Sequence, residues 1–245
     1  MKDSSLLKKA VTCIVAGLTI AALLLVIGHS GAISFLPPVM IFSLVGLTML
    51  VAVVFPFVWQ YKQNNEHWDS LKTYTVLYNI IRYAVAINLM TFAFKKFLGL
   101  QLSAPAYTSD LPLNQQTGEM LTWYYFSYSH GFSLILACLQ VGGSGMLLFR
   151  RTLLLGVIVL FPLMLNITLV NIFYHLNLGA LVQSIIVTSG IIFILLLHYK
   201  ELLVFFIQQQ HYAFSATRLS NRTKNLLRIG MVVLAFIYTY CLKFA

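Results

Sequence analysis

Carboxylates are scarce in this chain. Asp3, Glu66, Asp69, Asp110, Glu119 and Glu201 are its six acidic residues, and each sits in a tail, a connection or the end of an apolar run. A proton-coupled transporter needs a carboxylate at depth in the membrane, so active transport is disfavoured. Charge of either sign is rare as well, at 9% of residues against 60% hydrophobic. A globule of 245 residues with so little polar surface would not remain in water, and the composition places the chain in a bilayer. The three cysteines, Cys13, Cys138 and Cys241, all fall in apolar runs and form no CxxC, which argues against a disulfide or a thiol redox pair. His29, His67, His130, His175, His198 and His211 are scattered, with neither HExxH nor CxxCH among them, so metal and haem sites lack a motif. His130 and His175 are the one pair whose positions suit a bis-histidine haem. No repeat of fixed period and no low-complexity tract is present.

Long apolar runs are what the chain has. Seven are visible: Ala10 to Ile27, Val39 to Gln60, Val76 to Phe94, Phe126 to Phe149, Thr152 to Phe173, Leu178 to Leu197 and the shorter Ile229 to Leu242. About 20 apolar residues in a helix cross the hydrocarbon layer, so these runs predict an all-α, polytopic membrane protein of about seven spans. Short connections favour antiparallel neighbours in a bundle. Ser30-Gly31-Ala32 resembles a cleavage site, but the apolar run before it is longer than a cleaved signal, and the first span is expected to be a retained anchor.

A net charge of +10 would suggest nucleic acid in a soluble protein. Here the cations follow topology instead. Lys2, Lys8, Lys9, Lys62, Lys72, Arg150, Arg151, Lys200, Arg218, Arg222, Lys224 and Arg228 fall on one side of the expected spans, and Lys95, Lys96 and Lys243 on the other. The positive-inside rule then gives a cytoplasmic N-terminus and an external C-terminus. Arg150 and Arg151 mark a tight cytoplasmic turn among anionic headgroups. The external segment 99–125, with Pro105, Pro112, Gly118 and several aromatics, is expected to fold back as a cap or to lie on the membrane surface. The cytoplasmic stretch from Lys200 to Arg228 interleaves Phe205, Phe206 and Phe214 with Gln208 to Gln210 and basic residues, and reads either as an amphipathic helix on the leaflet or as a solvated linker.

Several stretches in order carry a family likeness: WQYKQNNEHWDSLKTY, RYAVAINLMTFAFKK, QLSAP, TGEMLTWYYFSYSHGF, QVGGSGMLLFRRTLLLG and LNITLVNIFYH. Together they resemble the DoxX family, in particular its longer bacterial members with extra helices before the core. The resemblance implies a four-helix core from Val76 to Leu197, decorated by two helices before it and one after. It divides the chain into 1–75, 76–206 and 207–245. It also implies a link to respiratory or thiosulfate-linked quinone oxidoreductase assemblies. Two positions depart from the pattern: Gln140 stands where relatives tend to carry an acid, and His175 where an aspartate commonly follows the tyrosine.

Polar residues inside the spans are the candidate site. Arg82, Ala86, Leu89, Ala93 and Lys96 share one helical face, with cations about 21 Å apart at its two ends. Both cations can snorkel to opposite interfaces, or Arg82 can turn inward onto a carbonyl or an anionic group. Gln140 and Ser144 form an i, i+4 polar pair beside a small-residue strip of Cys138, Gly142 and Gly145, the pattern of a close helix contact. Asn166 follows Pro162 by one turn, where its amide can satisfy a kinked backbone. Asn171 and His175 lie four apart near the external end, and His175 is of the residue type that exchanges protons, or it simply hydrogen-bonds. The expected function is a non-catalytic accessory subunit of a membrane electron-transfer assembly. Arg82, Trp123, Gln140, Asn166 and His175 are the candidate groups around a quinone, a possible cofactor. A partner-docking scaffold is the alternative class, and a small-molecule carrier the least favoured. Lipid and other membrane subunits are the expected partners, and nucleic acid is not.

Overall fold

The computed structural model describes residues 5–28, 37–65, 68–101 and 112–208, with scattered positions between 220 and 237. Six of its helices are long and apolar enough to cross a membrane: α1 (Leu6–Ile27), α2 (Pro38–Asn65), α3 (Ser70–Phe97), α5 (His130–Leu148), α6 (Leu153–Phe173) and α7 (Leu178–Leu197). Between α3 and α5 lies the shorter α4 (Gly118–Tyr128), and α8 (Tyr199–Leu203) follows α7. No strand occurs among the described residues, so the chain is an all-helical, multi-pass membrane protein. Most of the seventh apolar run, and Gln209 to Leu219 of the amphipathic stretch, lie outside the described residues.

The helix ends follow local chemistry. Asp69 caps α3 through the Lys72 amide at 3.1 Å, and Asn177 caps α7 through the Ala180 amide at 2.9 Å. Gly99 takes φ +67° after α3, and the Gly99 and Leu100 amides close back on the Lys96 and Lys95 carbonyls. That is the two-bond stop that a left-handed glycine permits.

The run expected from Phe126 to Phe149 is not one helix. Ser129 adopts an extended backbone (φ −123°, ψ 107°) between α4 and α5, and its hydroxyl accepts from the Phe132 amide at 3.3 Å. Ser133 donates its hydroxyl to the Phe126 carbonyl at 2.8 Å, which satisfies one of the carbonyls that the end of α4 leaves open. Two serines therefore move Phe126–Tyr128 out of the span and into α4.

The chain divides into two compact units, Met1–Leu202 and Leu203–Ala245. The second begins with a π turn, Val204–Gln208, in which Phe205 and Phe206 meet edge to face at 5.1 Å between centroids. In the first, α3 packs on α1, α5 and α7, α5 on α6, α6 on α7, and α7 on α1, while α2 packs on α1. α1, the first of the two helices ahead of the expected four-helix core, is thus part of the bundle wall. Ile81, Val85, Leu89, Leu147, Leu160, Met164, Val187, Ile191 and Ala16 build the shared core. Phe42, Leu47, Leu50, Val54 and Phe57 of α2 point outward, as lipid contact requires.

The predicted stripe of α3 is buried along its whole length: Arg82 is 2% exposed, Ala86 0%, Leu89 1%, Ala93 0% and Lys96 7%. Neither cation snorkels outward. Lys9 corrects its reading as a cation ahead of the first span in the same way: it lies inside α1, bonded to Gln60 and Gln63 and set over the Trp59 ring. The close contact between α5 and α6 is also displaced from the expected strip. Cys138 and Gly142 are exposed, whereas a Cβ on Gly143 would meet Leu160 at 2.7 Å and one on Gly156 would meet the Gly143 carbonyl oxygen at 2.8 Å. One residue along a helix turns the contact by about 100°, so Gly143 and Gly156 form the seam.

Gln183 of α7 is the polar link among three helices, donating to the Ala22 carbonyl of α1 at 3.2 Å and to Asn88 Oδ1 of α3 at 3.1 Å. Gln183→Leu removes both bonds and strands Asn88, so unfolding in detergent is expected to lose about 1 kcal/mol. An unchanged unfolding midpoint would show that these bonds do not hold the three helices together.

Candidate functional site: an apolar cavity with one buried ammonium

A cavity of about 120 Å³ lies among α3, α4, α5, α6 and α7. An apolar protein cavity of about 150 Å³ accommodates a benzene ring, so this one is near the size of a single six-membered ring. Leu89, Phe92, Leu136, Ile167, Val170 and Val187 give it apolar walls, and Thr122, Trp123 and Phe126 of α4 cover it.

The cover is placed by its first turn. A Cβ on Gly118 would stand 2.5 Å from the Tyr174 carbonyl oxygen, so α4 approaches the end of α6 as closely as glycine alone allows. Glu119 adds a polar tie, accepting from Asn177 Nδ2 at 3.4 Å and from Trp123 Nε1 at 3.5 Å. The opposite side of α4 carries exposed Tyr125 and Tyr128, aromatics of the kind found at membrane interfaces.

One corner of the cavity is charged. Lys96 Nζ donates to Gln140 Oε1 at 2.8 Å and to Gln101 Oε1 at 3.2 Å. Gln140 spends its other end on Met164 Sδ at 3.9 Å, a contact to a weak acceptor. Asn171 and Gln183 also line the space, but their amides are committed, Asn171 to the Ala180 carbonyl at 3.1 Å and Gln183 to its interhelical bonds.

Of the five residues singled out in the sequence, the structure brings two together. Trp123 and Gln140 line the cavity. Arg82 is buried near the middle of α3, about four turns from Lys96, where its guanidinium donates to Tyr83 Oη at 2.8 Å and reaches the Leu148 carbonyl at 3.5 Å. A cation there suits the C-terminal end of α5. Tyr78 beside it bonds His198 Nε2 at 2.8 Å, and His198 Nδ1 meets Glu201 Oε2 at 2.9 Å, which ties α3 to the end of α7. Asn166 faces outward from α6 and does not serve the backbone near Pro162. His175 is exposed in the turn after α6 with φ 53°. The helix ends at Phe173, so His175 never shares a face with the buried Asn171. The Leu176 amide returns to the Asn171 carbonyl at 3.2 Å across it, which makes His175 a helix stop of the same kind as Gly99.

Lys96, a topology marker with Lys95 in the sequence, is also the cavity's cation. Its place on the Arg82 stripe was the signal that separated it from Lys95, which does not share that face. Arg150 and Arg151 are exposed in the turn between α5 and α6, as expected. His130 is exposed like His175, and among the described residues no three His, Cys, Asp or Glu side chains gather as metal ligands.

Comparison of the chain with protein-family models, curated proteins and solved structures gives no match.

Two substitutions test this description. His175→Gly relieves a left-handed backbone at a cost for L-residues of about 1 kcal/mol, so stability is expected to hold or rise slightly, whereas His175→Val should lose at least that much. A drop in stability on His175→Gly would assign the imidazole a bonding role. Gly118→Ala places a methyl against the Tyr174 backbone and should loosen the cover, read as amide hydrogen exchange in α4 at least about tenfold faster. Unaltered exchange would mean that α4 is not seated by that contact.

Proposed function

We propose that this chain is an accessory subunit of a quinone-linked electron-transfer assembly in the bacterial cytoplasmic membrane, and that the cavity beneath α4 receives a quinone ring. The observation that carries the proposal is a ring-sized apolar space with Trp123 in its cover and the Lys96–Gln140 pair at one corner. An apolar pocket with few convergent polar groups is the usual form of a small-molecule site. The likeness to the longer DoxX proteins supplies the electron-transfer context. A quinone carries electrons within the lipid phase, and this chain's part is to bind and orient the ring. Lys96 and Gln140 have donors for a ring carbonyl, and Trp123 has a face for stacking. Arg82, Asn166 and His175 are not part of this site.

The word accessory rests on two features. Among the described residues no nucleophile, acid and base converge on the cavity. Asn166, well inside α6, turns a hydrogen-bonding amide toward lipid, where the neighbouring helix of another subunit would satisfy it. The charge bias favours an orientation with the N-terminus, Arg150 and Arg151 on the cytoplasmic side and the α4 cover on the external side. The exposed aromatic face of α4 favours a second reading, a scaffold that docks its partner there.

Purification from native membranes in mild detergent, followed by mass spectrometry of subunits and extracted lipids, tests both. Quinone is expected to accompany the wild-type chain and to be lost from Ala180→Phe, which fills the cavity. Partner subunits that leave on Tyr125→Ser/Tyr128→Ser, with no quinone in any preparation, would establish the scaffold instead.

A further inference from the structure

Lys96 is a buried cation that meets no carboxylate among the described residues. Its ammonium has three donors, and the oxygens of Gln140 and Gln101 use two. The amide nitrogen of Gln140, next to it, has only the Met164 sulfur. Two incompletely used donors therefore adjoin one another at the wall of an apolar cavity. A buried ammonium is costly unless something nearby offsets its charge. Neutral amide oxygens solvate it in part and leave the charge uncompensated.

Lys9 is enclosed by Gln60, Gln63 and Trp59, and Arg82 is spread over Tyr83 and a helix C-terminus. Lys96 opens onto space that a ligand can occupy.

We propose that the Lys96–Gln140 corner is a receptor for an ionised oxygen carried on an apolar body, so that the occupant of the cavity is an acidic amphiphile. The inference rests on the cavity being a ligand site and specifies the charge of what it holds. Lys96 compensates the negative oxygen, and the Gln140 amide donates to the same atom or its neighbour. The apolar walls take the body of the molecule. Two ligand sources share this chemistry, a single-chain carboxylate of the bilayer and a quinone ring bearing an acidic hydroxyl.

The test uses the full chain in phosphatidylcholine nanodiscs at neutral pH and two matched pairs of probes. Decanoate is compared with methyl decanoate, and 2-hydroxy-1,4-naphthoquinone with its neutral 2-methoxy ether. Retention by protein-bearing discs is measured by mass spectrometry after subtraction of retention by empty discs. The ionised member of at least one pair is expected to be held at least about tenfold better, the scale of a charge-assisted hydrogen bond. Lys96→Met should abolish the preference, and Lys96→Arg should retain it. Should Lys96→Met fail to fold, the wild-type pairs still decide.

Preference for the hydroxynaphthoquinone supports both the inference and the quinone reading. Preference confined to decanoate supports the inference and overturns the quinone reading. Equal retention of charged and neutral members, unaltered by Lys96→Met, overturns the inference, and the quinone reading survives if the neutral naphthoquinone is held. No retention above empty discs overturns both. Asp110, outside the described residues, supplies the control: Asp110→Asn should leave the preference unchanged, and increased anion retention would mean that the chain provides its own counter-charge, which also overturns the inference.

Discussion

Hydrocarbon forms no hydrogen bonds, and that single constraint orders this structure. Backbone groups in a span must be satisfied within the chain, which leaves helices as the available form, and polar side chains must turn inward or reach another protein. The bundle follows this rule at each level. Thr19 returns its hydroxyl to the Val15 carbonyl, Thr168 bonds Thr188 across α6 and α7, and Gln183 joins α1 to α3. Outward faces keep their leucines, valines and phenylalanines. Asn166 departs from the rule within the chain, and for that reason it points beyond it.

What the sequence made legible was whatever depends on period and composition. Apolar runs located six helices closely, because length and hydropathy alone decide whether a segment spans. The helical period identified Arg82, Ala86, Leu89, Ala93 and Lys96 as one face, and all five are buried. Less legible was anything set by a single backbone torsion. The break at Ser129 and the helix stop at His175 each follow from local dihedrals, and Ser and His carry weaker signals than Pro or Gly. A helix drawn through either position acquires the wrong neighbours, which is how His175 was matched with Asn171. The glycine seam was misplaced for a related reason. Gly142, Gly143 and Gly145 offer adjacent faces, and which one meets α6 depends on the partner helix and its Gly156.

A cation that labels a side of the membrane can also have a partner inside the bundle. Lys9 and Lys96 lie near helix ends, as the positive-inside pattern requires, yet both turn inward. A lysine near an interface can fulfil both requirements, since its long stem lets the ammonium sit some distance from its own Cα. Position along the sequence therefore fixes its depth approximately. It does not fix the direction in which the side chain points.

The two cations of the buried α3 stripe show why one joins the packing while the other makes a site. Arginine spreads its charge over a planar fork, and at position 82 that fork has a tyrosine face at 4.7 Å, a phenol oxygen and a carbonyl at the end of a helix. These partners belong to elements that must meet there in any case, so the guanidinium joins the packing. Lysine concentrates its charge on one nitrogen, and at position 96 its partners are two glutamine oxygens with room beside them. The α4 cover closes over that room because Gly118 permits it to come within contact of Tyr174. A compact ammonium, an incompletely used amide and an apolar space under a fitted cover together leave a demand that the described chain does not itself meet. The same constraint that turns Gln183, Thr168 and Asn171 toward partners inside the bundle here asks for a partner that arrives from outside it.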